Sequence, residues 1–375
     1  MTKYGNGEQK FKVCLVSTSL GKGGAERSCA TLSQMLFAKG YDVTTIILTN
    51  NVEYSFSGKI FNLGILKNQN DTFLGRIFRF IKFRKFIISE KFEVIIDHRP
   101  KNNLFKELFY FFYLYKGKKK IYVVHTSKEE SFLTPFKKLF SKIYRSCEAS
   151  VGVSAYIKNI LLQKYNISNA VLIHNAYNAP LNDIVIQFPK VLNNKKYILS
   201  YGRLDDTIKD FSFLIDSFET SGVWKKSVYL VIMGEGPDRE MLKLKAGKQK
   251  SAQKILFIPF TNPPFSVVAN SLFVTLTSKY EGFPMVLVES LSLGVPVVAL
   301  DIPSGPSEII KNEFNGLLIP KRNLSLFANA LQRMCFDVQL LNYCAMNSKQ
   351  SVESFSMNEI GYKWAQLLEN VSKKR

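Results

Sequence analysis

The sequence predicts two α/β domains, each built on a doubly wound parallel sheet, and three observations carry that prediction. Short β-branched runs alternate with stretches of a dozen or so residues that read as helices. The runs are apolar almost throughout rather than at every second position, which marks strands covered on both faces. The pattern restarts near Tyr197 after a polar stretch from Asn175 to Asn194, which places a linker at about 176–192. A chain of 375 residues also suits two domains better than one.

In order along the chain, the first domain (1–178) offers strands at Phe11–Ser17, Val43–Thr49, Val94–Asp97, Ile121–His125, Ser150–Ser154 and Ala170–His174. The second (190–355) offers Tyr197–Tyr201, Ser227–Met233, Lys254–Ile258, Leu272–Thr277, Pro296–Leu300 and Asn315–Ile319. Residues 356–375 remain as a C-terminal helix. No repeat of 20–50 residues is visible, which excludes solenoids and propellers.

Composition narrows the class. Hydrophobic residues make up 46% and charged ones 22%, the balance of a folded protein rather than a disordered one. The longest strongly apolar run, Leu108–Tyr115, falls far short of the roughly 20 residues of a membrane-spanning helix. Met1–Lys12 is polar and lacks the apolar core of a signal peptide. The five cysteines are scattered and never spaced Cys-x-x-Cys, so neither a disulfide framework nor a zinc site is expected. These features point to a cytoplasmic protein.

The net charge is +21, and residues 1–180 hold +16 of it, with 28 Lys and Arg against 12 Asp and Glu. Such a surface draws anionic partners: nucleic acid, an anionic membrane or anionic small substrates. No nucleic-acid-binding motif is present, so nucleic acid is not expected among them.

In doubly wound sheets ligands bind beyond the carboxyl ends of the strands. All three histidines, His98, His125 and His174, fall there. The most informative stretch is Ser271–Asp301. It reads as strand, tight loop (Ser278–Pro284), helix (Met285–Leu293) and strand, with Pro284 in the first helical turn and Gly294 closing the helix. A helix N-terminus at a strand's carboxyl end suits an anion, and Gly282 lets backbone approach one. Glu289 lies in the apolar stripe of that helix, either facing solvent or meeting polar partners such as the vicinal hydroxyls of a ribose. Glu281 lies at the helix mouth.

Three further turns follow strands. Tyr201-Gly202-Arg203-Leu204 leads to Lys209. There Arg203 and Lys209 either clamp a diphosphate or form a solvated charged loop with Asp205 and Asp206. Met233-Gly234-Glu235-Gly236-Pro237 is a backbone-permissive strand-to-helix turn. Leu20-Gly21-Lys22-Gly23-Gly24-Ala25-Glu26-Arg27 is glycine-rich but lacks the Gly-x-Gly-x-x-Gly spacing. No acidic residue closes the next strand at Thr49-Asn50 to hold a dinucleotide ribose, which argues against an oxidoreductase.

Taken together, Gly23-Gly24-Ala25-Glu26-Arg27, Gly202-Arg203-Leu204 with Lys209, Gly234-Glu235-Gly236-Pro237 and Glu281-Gly282-Phe283-Pro284 through Glu289 resemble family-4 glycosyltransferases over nearly the whole chain. These are retaining enzymes of the GT-B fold, two Rossmann-like domains facing a central cleft. The Glu-x7-Glu element, with Gly-Val-Pro-Val-Val after it, is its most specific part.

The resemblance implies roles. Arg203 and Lys209 hold the donor diphosphate, Glu289 the ribose and Glu281 the donor sugar. Phe283, Pro284, Met285 and Val286, after Gly282, bring backbone to sugar and phosphate. Gly202, Gly234, Glu235 and Gly236 belong to the donor side, and Gly23 and Gly24 close the site from the first domain. His125 lies against the transferred sugar, and the last helix, Met357–Val371, packs back toward the first domain. The implied activity is a hexosyl transfer from a nucleoside-diphosphate sugar, usually UDP-linked, with no metal and no other cofactor. A glycan or lipid-linked acceptor of cell-surface polysaccharide or glycolipid synthesis receives the sugar. The alternative is a sugar-nucleotide epimerase of the same two-domain fold.

The first domain is the acceptor side by this resemblance. His98 and Arg99, in Asp97-His98-Arg99-Pro100-Lys101, are candidates to meet an acceptor phosphate. Residues 75–120 mix Arg76, Arg79, Lys82, Arg84 and Lys85 with Phe78, Phe80, Phe83 and Phe86, and continue to Lys116 and Lys118–Lys120. Basic–aromatic segments of this kind suit an anionic membrane surface, so a peripheral position on the inner face of the cell membrane is expected.

Overall fold

A computed structural model describes residues 10–21, 23–67, 72–132, 136–178 and 188–373. The chain divides into two units, Met1–Asn178 with Ser356–Arg375, and Ala179–Phe355.

In the first unit the strands are β1 (Lys12–Ser17), β2 (Asp42–Ile47), β3 (Lys59–Asn62), β4 (Val94–Asp97), β5 (Lys119–Val124), β6 (Ala149–Gly152) and β7 (Ala170–Leu172). They pair in the order β3-β2-β1-β4-β5-β6-β7. Every pairing is parallel; β1, for example, sets Val13 beside Val43 on one side and beside Val94 on the other. Consecutive residues of β1, β2 and β4 are buried, so both sheet faces are covered, as continuous apolar runs require. The strand not expected from sequence is β3. It sits at the sheet edge, carries only Ile60 and Phe61 as apolar residues and is half exposed, so no buried run announces it.

In the second unit β8 (Lys196–Tyr201), β9 (Val228–Met233), β10 (Ile255–Ile258), β11 (Phe273–Leu276), β12 (Val297–Leu300) and β13 (Gly316–Ile319) follow the order β10-β9-β8-β11-β12-β13, again all parallel. In both sheets the order reverses beside the first strand, between β1 and β4 and between β8 and β11. Doubly wound folds bind ligands at that reversal, at the carboxyl ends.

The core of the second unit joins Ile198 and Leu230 of the sheet to Leu214, Phe218, Phe327 and Leu331 of the helices Phe211–Ser221 and Leu324–Phe336. Each fully buried side chain of this size contributes about 1.5–3 kcal/mol. The helix that follows β11 runs Met285–Ser292, starting where expected and ending one residue short, with Pro284 as its N-cap.

The final helix, Met357–Lys373, belongs to the first unit. It buries Ile360, Trp364, Leu368 and Val371, one stripe at helical spacing, and packs on the helix Gly24–Ala38. Gly361 lies at the contact, where a Cβ would meet Met35 Cβ at an ordinary 3.5 Å and the mobile end of Lys39 at 2.8 Å. Lys39 Nζ lies 3.3 Å from the centre of the Tyr362 ring.

Candidate active site

The second unit gathers its polar residues at the carboxyl ends of β8, β9 and β11. The turns after β8 and β9 lie backbone on backbone: Gly202 N–H donates to Met233 O at 3.0 Å, and Leu204 N–H to Glu235 O at 3.0 Å. Gly234, with φ +159, makes this approach possible, because a Cβ there would sit 1.9 Å from Gly202 O. Gly236 packs equally close on Leu204, and Glu235 turns outward to pair with Arg239 Nε at 3.4 Å. This tight support leaves the Arg203 side chain exposed, with no carboxylate partner among the described residues.

Lys209 ends a single helical turn, Asp206–Lys209. Its Nζ lies 2.6 Å from Glu281 Oε1, which also accepts from Ser278 Oγ at 2.7 Å. Thr277 Oγ1 donates to the carbonyls of Lys209 and Asp210, tying that turn to the end of β11. Arg322 fastens the same place by donating to the carbonyls of Thr277 at 3.0 Å and Ser278 at 2.9 Å and pairing with Asp210.

The turn into the Met285–Ser292 helix is held from behind. Ser304 Oγ donates to Gly282 O at 2.7 Å, and the Phe283 ring meets Phe355 edge-on at 5.2 Å. Gly305 lies against Pro284; a Cβ there would stand 2.2 Å from Pro284 Cδ. Gly282, Phe283 and Pro284 are buried, while Met285 and Val286 are half-buried. No side chain caps this helix end, which leaves backbone N–H groups and the helix dipole to an anionic ligand. Glu289, only 2% exposed, does not face solvent: Tyr201 O–H donates to its Oε2 at 2.9 Å. Of the two places open to Glu289 in the sequence, the structure gives it the buried, partnered one.

At the corresponding strand ends of the first unit, Gly23 caps the Gly24–Ala38 helix, both glycines are exposed, and Gly23 N–H donates to Tyr54 Oη at 3.3 Å. Glu26 in the first turn is half-buried, and that burial raises its carboxyl above the usual carboxylate range.

His98 and His125 form a pair, Nδ1 to Nε2 at 3.0 Å, with rings stacked at 25°. Burial pushes the His98 imidazole down to about 3 and holds His125 well below its usual value, with Lys101 adding to both. Both are neutral at pH 7; the Nε2 of His125 is spent on His98, while its Nδ1 has no hydrogen-bond partner among the described residues. His98 is correspondingly interior and not at an acceptor surface.

Arg99 requires a second correction. It is 2% exposed, and its guanidinium binds Asp97 Oδ2 at 2.6 Å and Glu107 Oε2 at 3.2 Å while lying 3.4 Å over the Tyr110 ring. Tyr115 O–H donates to Asp97 Oδ2 at 3.1 Å, and Lys101 Nζ to the carbonyls of Asp97 and Arg99. Burial works against the charge on Asp97, yet Arg99 and Lys101 hold its carboxyl below the usual range. This is a sealed ionic network, and it leaves Arg99 no reach to an acceptor phosphate.

The comparisons with known proteins agree with the fold and the motif order. The family profile "Glycosyl transferases group 1" matches residues 183–351, and "Glycosyltransferase Family 4" matches residues 22–179. This chain belongs to the family-4 glycosyltransferases. The amylovoran biosynthesis glycosyltransferase AmsD of Erwinia amylovora is 25% identical over 94% of this chain and 98% of its own length. A Campylobacter jejuni N-acetylgalactosaminyltransferase, named for a diphospho-undecaprenol acceptor, is 28% identical over 91% of this chain and 95% of its own. Among solved structures, S. aureus TarM in complex with fondaparinux, α-GlcNAc-glycerol and UDP superposes with a TM-score of 0.77 at 14% identity, covering 96% of this chain and 99% of TarM. The two Rossmann-like units are therefore those of the GT-B fold, and the protein is a transferase. The epimerase alternative finds no support among these relatives.

In this glycosyltransferase the segment 75–120 splits into two kinds of surface. The helix Phe73–Ser89 turns Phe83 and Ile87 inward and leaves Leu74 (76% exposed), Ile77, Phe78 (60%), Ile81 and Ile88 outward, with Lys82 and Lys85 exposed beside them. Phe105 and Phe112 are also exposed. Lys118, Lys119 and Lys120, expected to join the basic surface, instead donate to the carbonyls of Phe92, Ser372 and Lys118 respectively. Among the described residues no helix is long and apolar enough to cross a membrane.

Three residues of the donor-side cluster were not read from sequence: Tyr201, Ser278 and Arg322. Tyr201 had a signal, since it directly precedes Gly202-Arg203. Arg322 had none, because it reaches the site from beyond β13.

Proposed function

We propose that this glycosyltransferase moves a hexose from a UDP-sugar to a glycan or lipid-linked acceptor in cell-surface polysaccharide or glycolipid assembly, with retention of anomeric configuration and without a metal ion. The observation that carries the reading is the placement of Arg203, Lys209, Glu281 and Glu289 at the carboxyl ends of β8 and β11, where the strand order reverses.

Each residue has chemistry to contribute. As the C1–oxygen bond to the diphosphate breaks, negative charge grows on the phosphate. Arg203, Lys209 and the uncapped start of the Met285–Ser292 helix are the groups that stabilise it. Glu281 orients the sugar, and Glu289 the ribose. The acceptor hydroxyl bonds to C1 on the face the diphosphate leaves, and its proton passes to the departing phosphate oxygen. The UDP in the TarM complex and the undecaprenol acceptor in the Campylobacter relative's name favour these substrate classes.

The outward apolar stripe of Phe73–Ser89, flanked by Lys82 and Lys85, supports a second element. The protein docks on the cytoplasmic face of an anionic membrane, where a lipid-linked acceptor is at hand.

The test is transfer from UDP-glucose, UDP-galactose and their N-acetyl forms to undecaprenyl-diphosphate-linked acceptors, with product stereochemistry read by NMR and EDTA present in parallel. One donor consumed with retention, unaffected by EDTA, is expected. Inversion, loss of activity with EDTA, or UDP-sugar turnover without acceptor would each overturn the corresponding part. Flotation with anionic vesicles should be weakened by Leu74→Ser with Phe78→Ser, and wild-type protein that ignores such vesicles would remove the membrane element.

A further inference from the structure

Tyr201 is the last residue of β8, and only 4% of it is exposed. The strand-order reversal sets β8 beside β11, with Ile198 opposite Phe273. The residue at the end of β8 therefore meets the helix that follows β11. Tyr201 Oη lies 2.9 Å from Glu289 Oε2 and 3.3 Å from the Val286 carbonyl. The phenol has one proton, and a charged acceptor at the shorter distance makes the stronger bond.

We infer that Tyr201 is a positioning residue for Glu289, fixing its carboxylate so that the carboxylate can accept both vicinal hydroxyls of the donor's ribose. The inference rests on the donor site proposed above and adds to it a residue that no motif assigns. The terminal torsion of a glutamate is broad, so an unpinned carboxylate loses freedom when it grips a diol. A carboxylate pinned in advance has already lost it, and affinity rises accordingly. A tyrosine suits the task because it is neutral: it offsets part of the cost of burying the carboxylate yet leaves its negative charge for the ribose. A lysine or arginine in its place would hold Glu289 in an ion pair and compete with the sugar.

The test is calorimetric titration of the full chain with whichever of UDP, GDP and ADP binds most tightly, alongside the 2′,3′-dideoxy form of the same nucleotide. Tyr201→Phe removes one oxygen and keeps the ring in the core, and a single cooperative thermal transition well above the titration temperature would verify that the fold is intact. The variant should bind the ribonucleotide about tenfold more weakly. Its affinity for the dideoxy form should stay within about twofold of wild type. In a Glu289→Gln background the same substitution should add almost nothing. Equal weakening for both nucleotides would mean that the hydroxyl serves only packing, and no weakening for either would mean that it does not serve the ribose; each result overturns the inference. Wild-type protein that binds none of the three diphosphates would overturn the donor site itself and this inference with it, so the wild-type titration tells the two failures apart.

Discussion

The two sheets reverse their strand order at the same relative place, yet they treat charge there in opposite ways. In the first unit, Asp97, Arg99, Lys101 and Glu107 seal one another inside a wall of tyrosines, and His98 and His125 close on each other. In the second, Arg203 stands exposed, and Lys209 and Glu281 share one half-buried contact. A cation whose partners come from its own core, as those of Arg99 do, serves the fold. A cation left exposed on a rigid backbone turn, as Arg203 is, is the kind we propose for a ligand. The contrast separates stability from activity more sharply than charge or motif does.

The largest effect expected of this contrast belongs to the sealed side. Arg99→Ala would leave Glu107 buried without its close cation and Asp97 with Lys101 alone, and should cost about 3–5 kcal/mol of stability in urea unfolding. A loss below about 1 kcal/mol would break the comparison, because the network would then be no more structural than a surface pair. Next in size, Arg203→Ala should lower turnover by about 100-fold or more while leaving stability within about 0.5 kcal/mol of wild type. Near-normal transfer by that folded variant would sink its role.

A third, smaller effect follows from the paired histidines. Both imidazoles titrate below the ordinary value of 6.5 because burial disfavours their charged form. Below about pH 6.5 the unfolded chain takes up protons that the native state refuses, so stability is fully present above that pH and falls as the pH drops toward about 3, where His98 titrates. Each histidine adds a slope of about 1.4 kcal/mol per pH unit within that window. Unfolding measured between pH 7.5 and 5.5 should show it, and His98→Asn should reduce it. An unchanged slope in that variant would mean that His98 is not the group behind the pH dependence. The smallest effect is local: Asn323→Ala removes the cap on Leu326 N–H and should cost about 1 kcal/mol with turnover unchanged. A drop in turnover would link that helix to the site.

Much of this was legible in sequence because it is local. Twelve of the strands coincide with β-branched runs, since burial on both faces demands an apolar residue at every position. The turn glycines and Pro284 follow from what a strand-to-helix turn needs, and the two glutamates from the family resemblance. The helix Phe73–Ser89 was half legible. Its cations at 76–85 spread around the axis and defined no face, whereas the structure shows that the apolar residues define one, with Phe83 and Ile87 inward and Leu74, Phe78 and Ile81 outward. Which apolar stripe of a two-sided helix turns inward depends on its neighbours, and spacing alone does not name them.

The sequence by itself determined the strand positions other than that of the edge strand β3, the restart near Tyr197 and the family motifs, all of which depend on residues within a turn or two of one another. Tertiary structure alone decided that Arg99 is sealed, that His125 spends a nitrogen on His98, and that Tyr201 holds Glu289 across 88 positions of chain. Such contacts are fixed by strand order and by which helix crosses which strand end. Local pattern is silent on both, because the same run of apolar residues is equally at home in any strand of the sheet.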